Sequence, residues 1–298
     1  MQKNVFQNLL QSILIIVIIS LISVPSHAQT GGYSIFHETM VDMTWQEVGK
    51  AAKEDAIILL PLAVIEEHGP HMNCGIDTYL GYLISKLTRR ELEKRGVKTL
   101  IAPPFYWGIN SASHVFPGTF TTRQETMKAL LYDIYSSLKS WGFKKVFNFI
   151  THGDGGHWRT IFESVINFRK ELEMDLYIVL SDDDLKRARL TGKEPFIVSH
   201  RSTPYEQTEY LDIHAGAVET GIAAAYYPEL VDKKKARTLK PTKLTAADLG
   251  KWVQDMKSVT PLGYFGDPAG FDAEWGKKYL ESEIMLIADG IEEFLKKK

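Results

Sequence analysis

Four short apolar runs, separated by longer segments with helical patterning, constrain the fold of this 298-residue chain more than any other feature. The runs cover residues 56–65, 98–102, 145–150 and 176–180, and helical segments are predicted at 77–94, from 122 onward and at 157–174. Parallel strands need a crossover of a dozen or more residues, which a helix of this length supplies. The pattern therefore predicts an α/β fold with a mostly parallel sheet and helices on both faces. The polar segment 185–209 is predicted to be a long loop.

Two segments have the form of a helix-opening capping box, in which Ser or Thr precedes Glu by three residues. They lie at residues 44–47 and 122–125, and each predicts the start of a helix. The second segment is followed by apolar residues at helical spacing, which indicates a face packed against the core. These residues are Met127, Leu130, Leu131, Ile134, Leu138 and Trp141.

The first 28 residues have the composition of a secretory signal peptide. Lys3 is followed by an apolar stretch at 13–22, and Ser26-His27-Ala28 places small residues where a signal peptidase cleaves. We expect cleavage after Ala28, a mature domain over 29–298, and a secreted or periplasmic protein without stable membrane insertion. The alternative is an uncleaved anchor, although the apolar stretch is shorter than the roughly 20 residues of a membrane span.

The composition of the chain limits the classes of partner that it is expected to bind. The formal net charge is −2 and no block of like charge occurs, so nothing favours nucleic-acid binding. Cys74 is the only cysteine, which rules out an intramolecular disulfide. A small-molecule substrate is the expected partner.

The first apolar run ends in a cluster of potential metal ligands. Residues 66–71 read Glu-Glu-His-Gly-Pro-His, and Asp77 follows nine residues after His68. Open α/β sheets bind ligands at the carboxyl ends of their strands. Carboxylates mixed with imidazole suit zinc, manganese or iron(II), and this set has room for two ions. The alternative is a solvated acidic turn with a structural histidine.

Two further clusters repeat this chemistry. The run at 145–150 leads into His152, Asp154 and His157, with glycines that allow the backbone to approach an ion or a substrate closely. For Asp154 alone, a helix-capping role is the alternative. His214 and Glu219 open an alanine-rich segment, and a lone histidine there is more often a cap or a core residue than a catalyst.

Taken in order, these motifs resemble the creatininase (creatinine amidohydrolase) family of metal-dependent hydrolases. Residues 66–71 are similar to the family's Glu-Gln-His-Gly-Pro-His, with Glu67 where Gln is usual. Residues 114–119 resemble its His-x-x-Phe-Pro-Gly-Thr, 214–220 its His-Ala-Gly-x-x-Glu-Thr, and 266–268 its Gly-Asp-Pro. The run that leads to His152 matches the approach to the family's Asn-Gly-His-Gly-Gly-Asn motif. Together the motifs span most of the mature chain.

The resemblance implies a three-layer α/β/α sandwich with a two-metal site. Asp77 would bridge the ions, Glu66 and His152 would hold one, and His68 and Asp154 the other, with Glu219 as the alternative to Asp154. His214 matches a catalytic histidine, and Glu219 is grouped with it in the catalytic set. The resemblance also implies a homo-oligomer, a hexamer in this family.

Departures from the family pattern bear on the substrate. Tyr210 and Leu211 stand where creatininase carries a Trp-Asp pair, so a creatinine-specific pocket is not expected. Tyr210, His157 and Trp107 are candidate substrate contacts. The predicted function is hydrolysis of a C–N bond by a hydroxide between the metals, with His214 protonating the leaving nitrogen. Hydrolysis of a cyclic ketone or lactone of a sugar derivative, and metal-dependent ligand binding without turnover, are the alternatives.

Overall fold

The computed structural model describes residues 34–204 and 209–297, and within them the five strands form one parallel sheet. The strands are β1 (Ile57–Leu62), β2 (Thr99–Ile101), β3 (Lys145–Ile150), β4 (Asp175–Ser181) and β5 (Ile197–His200). Their order across the sheet is β2-β1-β3-β4-β5, and every neighbouring pair is parallel. The described residues from Ile35 onward belong to one compact unit.

Ten α-helices connect and cover the strands in the described part of the chain. They are α1 (Trp45–Lys53), α2 (Ile76–Lys94), α3 (Gln124–Ser140), α4 (Gly155–Glu171), α5 (Asp182–Ala188), α6 (Ala217–Tyr226), α7 (Lys233–Ala236), α8 (Leu249–Gln254), α9 (Met256–Val259) and α10 (Ala273–Lys296). Short 3-10 helices occur at Met40–Asp42, Ser113–Val115, Pro228–Leu230, Ala246–Asp248 and Pro268–Gly270.

Alternate strand residues face opposite layers, because side chains along a strand point to the two faces in turn. One face, with Ile58 and Leu60 of β1, packs against buried apolar residues of α3 and α4. The other face, with Ile57 and Leu59, packs against α2 and α10. The strands are apolar on both faces because both are covered. The predicted three-layer α/β/α sandwich is thereby confirmed.

The strand order creates a crevice at one place on the sheet edge. The chain leaves β1 for β2 on one side and then places β3 on the other side of β1. In a 2-1-3-4-5 order this reversal separates the carboxyl ends of β1 and β3, and ligands bind in the gap. The first and second ligand motifs follow these two strands.

Three local predictions were wrong. The segment 185–209 is not a continuous loop, because it contains the end of α5 and the edge strand β5. Residues 122–125 do not form a capping box: the hydroxyl of Thr122 donates to the carbonyls of Trp107 and Gly108, and α3 begins after Arg123 without a side-chain cap. The capping box at Thr44 is confirmed. In the α3 stripe, Leu130 and Trp141 are exposed rather than packed in the core.

The predicted signal peptide lies outside the described residues. Within the described ranges, every helix is either too short or too polar to cross a membrane.

Candidate metal centre

The crevice between β1 and β3 brings together ligand residues from distant parts of the sequence. Glu66 and His68 lie in the loop after β1, and His152 follows β3. Asp77 lies in the first turn of α2 and Glu219 in the first turn of α6. All except Glu219 are less than a tenth exposed.

Glu66, Asp77 and His152 form the first candidate ion site. Nδ1 of His152 lies 3.1 Å from Oε2 of Glu66 and 3.1 Å from Oδ2 of Asp77. One ligand atom from each residue lies within 4.8 Å of the others. Two carboxylate oxygens and one ring nitrogen are a common donor set for zinc or manganese.

His68, Asp77 and Glu219 form the second candidate site. Nε2 of His68 lies 3.2 Å from Oδ1 of Asp77 and 3.9 Å from Oε2 of Glu219. Asp77 therefore offers one oxygen to each group, which is the position of a bridging ligand. The bridging role of Asp77 stays a prediction, and the positions of its two oxygens are compatible with it.

The unpaired polar atoms of these residues fit a pair of divalent cations. Nε2 of His68 and Oδ2 of Asp77 are buried, and although each lies at ion-pair distance from a charged neighbour, neither forms a hydrogen bond among the described residues. Such an arrangement is costly unless another group binds there. Nδ1 of His68 donates to the carbonyl of Glu66 at 3.0 Å, and Nε2 of His152 donates to that of Ile109 at 3.2 Å. These bonds leave the second nitrogen of each ring facing the carboxylates, the orientation of metal-binding histidines.

The electrostatics of the ion-free cluster point the same way. Burial alone would lower the pKa of His68, but the adjacent Asp77 carboxylate raises the pKa to about 10. Burial likewise opposes ionisation of Asp77, yet the neighbouring histidines hold its pKa below the ordinary value. The carboxylates thus attract positive charge strongly into a buried site, and bound cations would replace the protons.

His214 lies against both sites. Its Nε2 donates to the carbonyl of Glu67 at 2.8 Å, so Nδ1 faces the cluster, 3.9 Å from Oε2 of Glu66. Burial lowers the pKa of His214, but the Glu66 carboxylate more than offsets this and raises the pKa to about 9. His214 also forms a possible ligand group with Glu66 and His68. The position of His214 is compatible with a role as a proton donor or as a metal ligand.

The structure gives Asp154 a different role from the predicted ligand. Its Oδ1 accepts the backbone N–H groups of Gly156 and His157 at 2.8 and 3.0 Å, which caps the start of α4. The Ser111 backbone N–H donates to Oδ2 at 2.8 Å and the Ser111 hydroxyl to Oδ1 at 3.1 Å. Asp154 is not part of the second candidate ion group, which includes Glu219 instead, although Oε2 of Glu219 also accepts the Ala215 N–H at 2.5 Å.

The three predicted substrate contacts do not line the cavity in front of the ion groups. His157 is fully buried behind His152, with ring centroids 5.3 Å apart, so it offers no surface to a substrate. Burial, followed by the charge on His152, lowers the pKa of His157 to about 3. Trp107 is 43% exposed and packs on Tyr106 and Phe120 outside the cavity. Tyr210 is half-buried and also lies outside its lining.

The cavity has a volume of about 240 Å³, and several of its lining residues were missed in the sequence. Trp252 and Val253 of α8 form an apolar wall, and Ser111 and Arg159 line the cavity beside Asp154. Trp252 is 6.1 Å from the His214 ring, between ring centroids. Nothing in the sequence around α8 marks it as part of a site. Ser111 precedes the 114–119 motif by three residues, which is the one available signal.

Close helix packing holds Glu219 in place. A Cβ added at Gly276 of α10 would lie 2.5 Å from the backbone carbon of Gly221 in α6. Only glycine at this position allows α10 to pack so closely against α6, the helix that carries Glu219.

Comparison with known proteins identifies the family of this chain. The sequence model of the creatininase family, described as creatinine amidohydrolase, matches residues 41–291. The chain is 26% identical over 263 residues to a creatinine amidohydrolase of Pseudomonas putida, covering 85% of this chain and 95% of that protein. It is 25% identical to a mycofactocin precursor peptide peptidase of Mycobacterium ulcerans, covering 74% of this chain and 78% of the relative. It is also 25% identical to a 3-dehydro-scyllo-inosose hydrolase of Thermotoga maritima, over 67% of this chain and 59% of that protein.

Solved structures show the same fold. A tryptophan-to-alanine mutant of creatininase superimposes with a TM-score of 0.66 at 22% identity, covering 86% of this chain and 98% of that one. A manganese form of creatininase gives a TM-score of 0.62 at 21% identity, covering 86% of this chain and 98% of that one. Because the family match extends over most of its length, the chain belongs to the creatininase family of metal-dependent amidohydrolases.

Proposed function

We propose that the protein is a secreted hydrolase that uses two divalent metal ions to cleave the C–N bond of a small polar amide. The observation that carries the proposal is the pair of ligand groups sharing Asp77, with His214 beside them and a cavity in front. Zinc, manganese and iron(II) suit the donor set, and manganese is bound in one structurally similar creatininase.

The residues would divide the work as follows. Glu66 and His152 would hold one ion, His68 and Glu219 the other, and Asp77 both. When bound, such a pair of ions supplies Lewis acidity and lowers the pKa of a coordinated water. His214, with Nε2 fixed on the Glu67 carbonyl, has Nδ1 free to pass a proton to the leaving nitrogen. Ile213 and Trp252 line the cavity, and their apolar side chains would limit the access of bulk water to a bound substrate.

Hydrolysis of a panel of small cyclic and linear amides by the manganese- or zinc-loaded protein tests the proposal. We expect turnover that is lost on chelation and restored by metal. His214→Gln should keep the metal while the rate falls by about 10²–10⁴, the usual contribution of positioned acid–base catalysis. Loss of metal together with activity would make His214 a ligand. Saturable binding without any turnover would favour a binding protein instead.

A second candidate is hydrolysis of a cyclic ketone or lactone of a sugar derivative. It is favoured by the similarity to the inosose hydrolase of Thermotoga maritima and by the Gly-Asp-Gly-Gly-His run, which differs from the amidase-type motif. Adding cyclic polyol ketones and sugar lactones to the panel separates the two candidate functions. Amide hydrolysis requires turnover of the amides only, and the second candidate requires turnover of the ketones or lactones only.

Secretion and assembly are part of the proposal and have their own tests. The composition of residues 1–28 supports export, so mass spectrometry of the purified mature protein should give Gln29 as the first residue. An intact N-terminus in the membrane fraction would favour an anchor. The family resemblance supports a homo-oligomer, and light scattering should give the mass of a hexamer rather than that of a single mature chain.

A further inference from the structure

We infer that Arg159 binds a carboxylate of the substrate, which makes the preferred substrate a small amide that carries a negative charge. The inference rests on the proposed function, because it concerns the same cavity. Among the residues that line this cavity, Arg159 is the only lysine or arginine. It shares the lining with Glu66, Asp77 and His152, so a ligand over the ion groups would be close to a guanidinium.

The position of Arg159 on α4 directs it toward the cavity. Side chains in a helix lean toward its N-terminus and lie over the residue four positions earlier. Here that residue is Gly155, which lies at the start of α4 and lines the same cavity as Arg159. An added Cβ at Gly155 would meet no atom within 4 Å, so the space beside this turn is open to a ligand.

The carboxylates that might neutralise Arg159 are engaged elsewhere. Glu163, four residues further along α4, accepts hydrogen bonds from Lys128 at 2.6 Å and from Gln124 at 3.0 Å. Asp154 caps α4 and binds Ser111. Among the described residues, no carboxylate lies within ion-pair distance of the Arg159 guanidinium. An exposed arginine with free donors at a substrate cavity is well placed to bind an anion from outside.

The rest of the cavity narrows the class of ligand. A single guanidinium balances one negative charge, and its fork of donors fits the two oxygens of a carboxylate. The volume of about 240 Å³ limits the substrate to a small molecule. Trp252 and Val253 provide an apolar wall for a short hydrocarbon part. An N-acyl amino acid has all these features: an amide, a carboxylate and a side chain.

The hydrolysis balances without any further reactant. Water supplies a hydroxyl group to the carbonyl carbon and a proton to the nitrogen as the C–N bond breaks, giving a carboxylic acid and an amine. In this arrangement the amide carbonyl lies over the ion groups and the amino-acid carboxylate pairs with Arg159. The leaving nitrogen carries the carboxylate, so the arginine also orients the bond to be broken.

The test compares matched ligands that differ only in charge. The manganese-loaded protein is given N-acetylleucine and N-acetylleucinamide as substrates, and the hydroxamates N-formyl-N-hydroxyglycine and N-formyl-N-hydroxyglycinamide as inhibitors. Both hydroxamates have a metal-binding group, and only the first has a carboxylate. We expect wild type to prefer the charged member of each pair by about 10- to 100-fold, the usual contribution of a charge-assisted hydrogen-bonded pair.

Arg159→Met should remove most of this preference and leave the metal content unchanged. Arg159→Lys should retain part of the preference, because lysine keeps the positive charge but lacks the paired N–H donors of the guanidinium. Arg123→Met is the matched control, since Arg123 is exposed, lies outside the cavity and should leave the preference intact. The inference is overturned if Arg159→Met prefers the charged ligands as strongly as wild type does, or if wild type shows no such preference. Selective binding of the charged hydroxamate without turnover of either amide would support Arg159 but refute the proposed hydrolysis.

Discussion

Replacing Asp154 with alanine should destabilise the protein but leave both ions bound. Asp154 accepts two backbone N–H groups of α4 and two donors of Ser111, so its loss removes a helix cap and a tie to the neighbouring loop. Loss of an N-cap costs about 1 kcal/mol. The exposed Ser111 groups can turn to water, which adds up to about 1 kcal/mol. The total of about 1–2 kcal/mol corresponds to a fall in melting temperature of about 2–8 °C.

Calorimetry and metal analysis by mass spectrometry on three variants test this expectation. Asp154→Asn should keep both ions and the helix cap, because asparagine is an equally good N-cap. It should lose only the bond from the Ser111 N–H to Oδ2, which an amide nitrogen cannot accept, and so fall between wild type and Asp154→Ala in melting temperature. Glu219→Ala should keep its fold and lose one ion per chain. If Asp154→Ala and Asp154→Asn each lose an ion while Glu219→Ala keeps two, Asp154 is the ligand and the assignment from the structure is wrong.

Three further predictions concern the bridge, a buried histidine and the packing behind Glu219. Asp77→Ala should lose both ions; retention of two tightly bound ions would refute the bridging role. In the metal-free protein, His157 is neutral when folded, with a pKa of about 3, but protonates near pH 6.5 when unfolded. Its contribution therefore lowers the free energy of unfolding as the pH falls below 6.5, by up to about 1.4 kcal/mol per pH unit. His157→Leu should reduce that slope between pH 6 and 4 in urea titrations, and an unchanged slope would show that His157 is not held neutral. Gly276→Ala should cost about 1–3 kcal/mol by overpacking against Gly221 and weaken binding of the second ion. Gly49→Ala, inside α1 with open space around it, should instead stabilise the protein by about 0.5–1 kcal/mol.

The sequence was sufficient to predict the layers and most ligands, for physical reasons. Long apolar runs that end in Glu66 or His152 are only compatible with strands covered on both faces, and parallel strands place their carboxyl ends at one edge. The strand order was not predictable, because nothing local specifies that β3 pairs with β1. β5 was missed because its four residues, Ile197–His200, lie in a polar segment at the sheet edge.

The errors at the site have a common cause. A carboxylate two residues after a strand-end histidine can either bind a metal or cap the next helix. The residues around Asp154 are compatible with both roles, so the local sequence does not distinguish them. The choice depends on Ser111, which approaches Asp154 only in the folded chain. Arg159 and Trp252 were likewise indistinguishable from ordinary helix residues until tertiary packing placed them around the cavity.

Anomalous diffraction from crystals of the manganese-loaded protein tests the central claim most directly. We expect two peaks about 3.5–4 Å apart, the spacing of two-metal hydrolytic sites, with Asp77 between them. Glu66 and His152 should ligate one ion, and His68 and Glu219 the other. A single peak, or a second ion bound by Asp154 while Glu219 remains apart, would contradict the account.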